Sequence, residues 1–295
     1  ILAGGAFNSP QLLQLSGLGP SELLRSHGIP VIANMPGVGD QLNDHYFIRV
    51  ILRCHRPLSL NDAVRNWFLG ANAVFQYAAF RRGYFSIAAL SAGCFLRAHP
   101  SSETPDMQCS LALYSAEKIG SNLHPYSGVT GVCTLLRPES RGYVRIKSAD
   151  PRQAPAIHPN YLAARKDRET LVEGVKAIRR IIAAPAMATH IAEEMEPGPA
   201  CASDDAILDY IRHRGSTVYH PVSTCRMGQD ANAVVDERLR VRGFTGLRVI
   251  DASIMPMVVS GNTNAATIMI GEKGADMVLE DAKTAQNAAA LSPAT

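Results

Sequence analysis

His220 stands immediately before Pro221 in the segment Tyr219-His220-Pro221-Val222-Ser223-Thr224-Cys225-Arg226-Met227-Gly228. The residue before a proline is pushed toward extended backbone, so this imidazole is carried on a constrained segment rather than inside a helix. Histidine titrates near neutrality and can take a proton from a hydroxyl. A loop histidine that only hydrogen-bonds its neighbours would have the same local sequence, and geometry must separate the two. Asp251 closes the apolar run from Leu247 and is followed by Ala252-Ser253-Ile254-Met255-Pro256. Open α/β sheets bind ligands beyond the carboxyl ends of their strands, which would bring such an acid to a ligand. It could equally cap the turn that follows. Ser260-Gly261-Asn262-Thr263-Asn264-Ala265 has the composition of an Asx turn or cap that feeds a helix. Its functional reading is a set of backbone N–H groups at a helix start, with one amide side chain aimed into a pocket.

These segments need elements to hold them. Residues 1–6 read as a buried strand entering a glycine turn. Ser9 and Pro10 then suit the cap and first position of a helix running to residue 15. A second short helix is expected over 21–27, stopped by Gly28, and a strand over 29–33. Strand-like apolar runs cover 47–54, 93–97, 107–114, 129–136 and 143–146. Strands in succession without a helix between each pair favour an antiparallel sheet. After a proline-rich connector at 150–159, Leu171, Val172, Val175, Ile178, Ile181 and Ile182 mark an amphipathic helix over 167–182. A further helix is expected over 203–212, a strand over 247–251 and a closing helix over 267–279. The tail after Asp281 reads as frayed.

Composition narrows the classes. The 295 residues carry a formal net charge of +3, with 46% hydrophobic and 19% charged residues, enough for a sizeable core and against global disorder. Lys and Arg are spread along the chain, so the basic footprint of a nucleic-acid binder is missing. The six cysteines include no CxxC pair, which argues against a zinc site or a disulfide scaffold. They suit a reducing, cytoplasmic compartment, with peripheral membrane attachment as the remaining membrane relation. No apolar run approaches the roughly 18 residues of a membrane span.

In this order the segments resemble the glucose-methanol-choline (GMC) family of flavin-dependent alcohol oxidoreductases, with the choline dehydrogenase branch nearest in flavour. The resemblance rests on Gly5-Ala6-Phe7-Asn8-Ser9-Pro10-Gln11-Leu12-Leu13 with Ser16-Gly17-Leu18-Gly19-Pro20, and on the stretch Pro36 to His45. It continues through Pro138 to Val144, Asp150-Pro151-Arg152, Pro159-Asn160-Tyr161-Leu162, and His220-Pro221 to Gly228. Val234-Val235-Asp236, Gly246 to Ser253 and Gly261-Asn262-Thr263-Asn264 to Gly271-Glu272-Lys273 complete it.

The resemblance implies hydride transfer from an alcohol carbon to N5 of FAD. His220 matches the base that accepts the hydroxyl proton, and Asn262 the partner that hydrogen-bonds the substrate oxygen. Asp251 and Ala252 match contacts to the ribityl and diphosphate chain, and Thr263 and Asn264 fall near the flavin pyrimidine. Asp44 and His45 lie in a segment near the cofactor, where the usual Asp-His-Pro is Asp44-His45-Tyr46. The implied partners are a small-molecule alcohol, an electron acceptor such as dioxygen or a quinone-type carrier, and no nucleic acid. No metal is implied.

The fold expected is α+β with α/β character: an antiparallel-sheet substrate-binding domain with helices, joined to the C-terminal portion of a Rossmann-like FAD-binding domain. The expected boundaries are 1–46 for the FAD-binding part, 47–232 for the substrate-binding domain, 233–281 for the return to the FAD-binding part and 282–295 for a flexible tail. The family's dinucleotide cradle, Gly-x-Gly-x-x-Gly, does not occur in the chain. With Ile1 opening in a strand-like run, the expectation is a C-terminal part of a longer enzyme, with the N-terminal half as its missing partner. A hydroxynitrile lyase that keeps the flavin without redox, and a non-catalytic module of the same fold that lacks flavin, are the competing expectations.

Overall fold

The computed structural model describes residues 1–291 other than 89 and 119, with no side chains described over 285–291. In chain order the strands are β1 (Leu18–Gly19), β2 (Ala33–Asn34), β3 (Tyr46–Cys54), β4 (Leu90–Leu96), β5 (Met107–Ala112), β6 (Gly128–Leu135), β7 (Tyr143–Arg145), β8 (Ala156–His158), β9 (Ile191–Glu196) and β10 (Ser216–Thr217). The helices are α1 (Gly5–Leu15), α2 (Ser21–Ser26), α3 (Leu60–Arg65), α4 (Trp67–Phe80), α5 (Arg165–Ala183), α6 (Pro185–Ala188), α7 (Asp204–Arg214) and α8 (Asn264–Leu291). They divide into two compact units. One holds residues 1–45, 140–163 and the chain from 219 onward; the other holds 46–139 and 164–218. Residues 140–163 and 219–232, read from the sequence with the middle domain, therefore pack with the first and last segments.

The first unit is built around α1. Ser9 and Pro10 do not start this helix, as the sequence had suggested; it begins at Gly5, and both lie inside it. Pro10 has no N–H to give the Ala6 carbonyl four residues earlier. The Thr224 hydroxyl donates to that carbonyl instead, at 2.6 Å. The expected strands at 1–6 and 247–251 shrink to isolated bridges, Leu2 with Val249 in parallel and Arg248 with Arg240 antiparallel, and the strand at 29–33 gives way to β2. The core around them includes Leu13, Val38, Val222, Val235, Val249, Ile254 and Ile270.

Helix α8 is longer at both ends than the pattern over 267–279 suggested. It runs through 282–291, where a frayed tail was expected; residues 292–295 lie outside the described residues. Asp281 clamps it to the preceding segment, 2.8 Å from Arg238 Nη2 and 2.6 Å from Arg240 Nη2, with Arg248 as a third partner.

The second unit is a six-stranded antiparallel sheet in the order β10-β3-β6-β5-β4, with β9 also on β3. Helix α5 lies on this sheet through the stripe that its 3.6-residue period predicts, burying Leu171, Val172, Val175 and Ile178. Two glycines let it come close. A Cβ at Gly131 would stand 2.8 Å from Ile178 Cγ2, and one at Gly174 would stand 2.8 Å from Met107 Cε. Among the described residues no helix is long and apolar enough to cross a membrane.

Candidate active site

The site begins with one backbone pairing. The Asn43 N–H donates to the Val222 carbonyl at 3.1 Å, and the Val222 N–H donates back at 2.9 Å. His45 lies two residues beyond Asn43 and His220 two residues before Val222 in the chain, and their side chains meet. Their Nδ1 atoms are 3.0 Å apart, and the rings meet edge to face with centroids 5.2 Å apart at 78°. His45 is 1% exposed, whereas His220 is only half-buried. Asp44, between them in the pairing, accepts from the His220 backbone N–H through Oδ1 at 2.9 Å. Its Oδ2 accepts from the Tyr161 hydroxyl.

The backbone around these residues is held in conformations that ordinary side chains seldom adopt. Tyr219 (φ 62°) and Ser223 (φ 76°) flank His220-Pro221, and Asn160 (φ 58°) and Leu162 (φ 61°) flank Tyr161. Both bent stretches deliver one side chain to the Asp44–His220 cluster. Asn43 fixes the other side. Its Oδ1 accepts from the Val258 N–H at 3.0 Å and its Nδ2 donates to the Ser140 carbonyl at 3.3 Å.

Burial lowers the pKa of His220, and the Asp44 carboxylate opposes that shift by favouring the charged ring. The ring is therefore neutral near pH 7. Where the two Nδ1 atoms meet, one nitrogen carries the proton and the other accepts it. When His220 donates to His45, the Nε2 lone pair of His220 is left to act as a base.

The remaining expected residues lie along 251–264. Asp251 is buried, and its carboxylate is taken up by protein donors: Ser253 N–H at 2.8 Å on Oδ1, and Gly5 N–H at 3.0 Å and the Ser9 hydroxyl at 2.5 Å on Oδ2. It caps the short 3₁₀ turn Ala252–Ile254, in which Ala252 is half-buried. Asn262 is exposed, and among the described residues no hydrogen bond joins it to His220. Thr263 is half-buried; its carbonyl accepts from both the N–H and the hydroxyl of Thr267 at 2.9 Å. Asn264 is exposed at the first position of α8, whose opening N–H groups have no intrahelical acceptor. Gly261 turns the chain just before them with φ 149°, and the space a Cβ would take there is open.

The structure thus brings Asp44, His45 and His220 into direct contact, while among the described residues no hydrogen bond joins Asn262 to them. Sequence reasoning missed the roles of Tyr161 and Asn43 although both lie in the matched segments. The one usable signal was that each is polar beside a bend: Tyr161 follows Pro159-Asn160 and Asn43 precedes Asp44-His45.

Two GMC oxidoreductase family models match the chain, one over residues 1–47 and one over 138–271. The chain is 41% identical over 280 residues to an alcohol dehydrogenase [acceptor] of Pseudomonas putida, covering 95% of this chain and 50% of that protein. It is 40% identical over 281 residues to an oxygen-dependent choline dehydrogenase of Cronobacter sakazakii, covering 94% and 50%. Among solved structures it superposes on a point variant of the formate oxidase of Aspergillus oryzae with a TM-score of 0.88 at 27% identity, covering 96% of this chain and 54% of the other. The pyridoxine 4-oxidase of Mesorbium loti gives 0.77 at 27%, covering 93% and 50%. The chain spans about half the length of the curated relatives it matches. With helices beside an antiparallel sheet, the motif order from Gly5 to Lys273 and matches over both family models, the chain belongs to the GMC oxidoreductase family.

Proposed function

We propose that this chain carries the proton-transfer side of an FAD-dependent oxidation of a small-molecule alcohol to an aldehyde or ketone. The observation that carries the reading is His220: half-buried, neutral near pH 7, and held by His45 on its ring and Asp44 on its backbone. A C–H bond yields hydride readily only as the neighbouring oxygen becomes alkoxide-like, so the hydroxyl proton needs an acceptor beside it. His220 Nε2 takes that proton. His45 holds the ring in the tautomer that leaves Nε2 free, Tyr161 holds Asp44, and Asn43 ties the segment carrying both to Val258 and Ser140. Asn262 donates to the substrate oxygen as its charge grows.

The donor set fits a flavin. The 261–264 turn offers open space beside Gly261, an exposed Asn262 amide and the free first-turn N–H groups of α8, which suit an electronegative ring edge. FAD, when bound, supplies the hydride acceptor at N5. Thr263, Asn264 and Ala252 are the residues that would hold it. Asp251 shapes that wall by tying the 251–254 turn to α1. Since no Gly-x-Gly-x-x-Gly occurs among the 295 residues, the pyrophosphate cradle belongs to a dinucleotide-binding half that works with this chain. The two-electron acceptor that completes the cycle is dioxygen or a quinone-type carrier.

The test is anaerobic addition of alcohols, choline and primary alcohols first, to this chain assembled with a dinucleotide-binding half and FAD. Bleaching of the flavin absorption is expected. Flavin that binds but is not bleached by any alcohol would favour a lyase, and a protein that fails to bind flavin would favour a non-catalytic module.

Peripheral membrane attachment completes the proposal. Trp67, Phe68, Val74, Phe75 and Phe80 of α4 are each more than half exposed. Between Asp62 and Glu103 there is no acidic residue, while Arg65, Arg81, Arg82 and Arg97 are all present. Exposed aromatics among arginines suit the headgroup layer of an anionic bilayer. Co-sedimentation with phosphatidylglycerol vesicles, lost with phosphatidylcholine and in Phe68→Ser/Phe75→Ser, is the expected result; equal recovery from both vesicle types, or from neither, would contradict it.

A further inference from the structure

Three cysteines stand in a row across the sheet of the second unit. In the β4–β5 register Cys94 pairs with Cys109, and in the β5–β6 register Cys109 pairs with Cys133. Directly paired residues of neighbouring strands point to the same face with Cβ atoms about 4.5–5.5 Å apart. All three thiols therefore line one face, and all are unbridged. It is the face under α5, because Gly131, next but one to Cys133, receives Ile178.

The row is graded. Cys133 is fully buried, Cys109 is 2% exposed and Cys94, on the edge strand, is exposed. A cavity of about 250 Å³ opens beside the outer two, lined by Cys94, Cys109, Ile178, Ile181 and Met187 among others. Cys109 thus has a small-molecule approach that its own low exposure does not suggest. The neighbouring Cys133 thiol lowers the pKa of Cys109 against the opposing effect of burial, with Cys94 and Arg180 adding to the lowering. Cys133 itself is pushed up, first by Cys109 and then by burial, and stays a thiol. The thiolate, not the thiol, is the nucleophile in such chemistry.

We propose that Cys109 and Cys94 are a redox modification site that a peroxide converts to a cross-strand disulfide. The Cys109 thiolate attacks one peroxide oxygen; an S–O bond forms as the O–O bond breaks, and the departing hydroxide takes up a proton as water. The Cys109 sulfur has then lost two electrons to the peroxide and stands as a sulfenic acid. Cys94, whose pKa burial and then Cys109 push up, reacts from its thiol: its sulfur attacks the sulfenic sulfur, S–S forms as S–O breaks, and the thiol proton leaves with the hydroxide as water. Two thiols and one hydrogen peroxide give one disulfide and two waters. Cys94 rather than Cys133 closes the bond, because β4 is an edge strand. Its pairing already slips between Leu90 and Ala92, so it can shift to bring the sulfurs together. A disulfide between directly paired strands is closer to the strained, reducible kind than to a permanent staple. Its effect is to tie β4 to β5.

The experiment is hydrogen peroxide treatment of the reduced 295-residue chain, alkylation of the remaining thiols and peptide mass spectrometry without reductant. The expected product is a Cys94–Cys109 linked peptide that dithiothreitol reverses, with Cys133 alkylated only after unfolding. Cys94→Ser, an exposed and conservative change, should instead leave a Cys109 sulfenic acid that dimedone traps. Cys133→Ser should still form the disulfide, but at a rate lowered several-fold. A Cys109–Cys133 bridge, or dimedone capture spread evenly over Cys54, Cys94 and Cys201, would overturn the proposal.

Discussion

His45 and His220 meet through their Nδ1 atoms at 3.0 Å, although 175 positions separate them in the chain. The Asn43–Val222 backbone pairing lies two residues from each of them and holds the two segments together. Replacing His45 with Phe keeps a ring in the buried space and removes the nitrogen that holds the His220 tautomer. In the assembled enzyme kcat for alcohol oxidation should fall by about 10²-fold, the scale of a misplaced catalytic group, with KM changed far less. Steady-state kinetics read both, and a KM rise at constant kcat would assign His45 to substrate binding instead.

The pH dependence follows from the same cluster. Burial depresses the His220 pKa below its ordinary 6.5 and Asp44 pulls it back. The base is competent when neutral, so kcat/KM should rise with pH through an apparent pKa below 6.5 and level off above it. Asp44→Asn keeps an oxygen for the His220 backbone N–H but removes the charge. The acid limb should then move to lower pH, and a shift to higher pH would contradict the assigned roles. The linkage to stability has the same sign: the unfolded ring binds a proton at 6.5 and the folded ring only at lower pH, so this group's contribution is lost as pH falls through that window.

Asp251 illustrates a different dependence. Its carboxylate receives Gly5, Ser9 and Ser253, and removing it strands donors that are buried or partly so. Asp251→Ala should cost on the order of 2–3 kcal/mol in urea unfolding, the cost of leaving such groups unsatisfied. Asp251→Asn should cost less, because one amide oxygen still accepts. A neutral Ala variant would mean that the turn holds without its cap.

These residues also mark how far the sequence could be read. Helix α5 was legible because Leu171, Val175 and Ile178 repeat at the helical period above a sheet they bury against. Helix α4 was not: Trp67 to Phe80 is apolar nearly all round, so no stripe distinguishes it, and only Ala73 is buried. His220 and Asp251 stood out by type and context. Their partners did not, because Ser9 approaches Asp251 from 242 positions away and Tyr161 reaches Asp44 from 117. Local pattern carries no information about such closures. The start of α1 was misread for a similar reason: Pro10 is tolerated inside the helix because Thr224, distant in sequence, takes the carbonyl that Pro10 cannot serve.

Asn262 is the second residue assigned to the substrate oxygen. Asn262→Ala in the assembled enzyme should lower kcat roughly tenfold to a thousandfold, as for loss of an oxyanion donor. Because the side chain is exposed, the unfolding midpoint of the chain should stay unchanged. A large fall in stability with no change in kcat would assign Asn262 to the turn alone.

The most direct measurement is the rate of anaerobic flavin reduction by alcohol in stopped flow, comparing the assembled enzyme with its His220→Ala variant at saturating substrate. Loss of the proton acceptor should slow that single step by about 10²–10⁴-fold while flavin content is unchanged. Reduction within a few-fold of the parent rate would show that His220 is not the base.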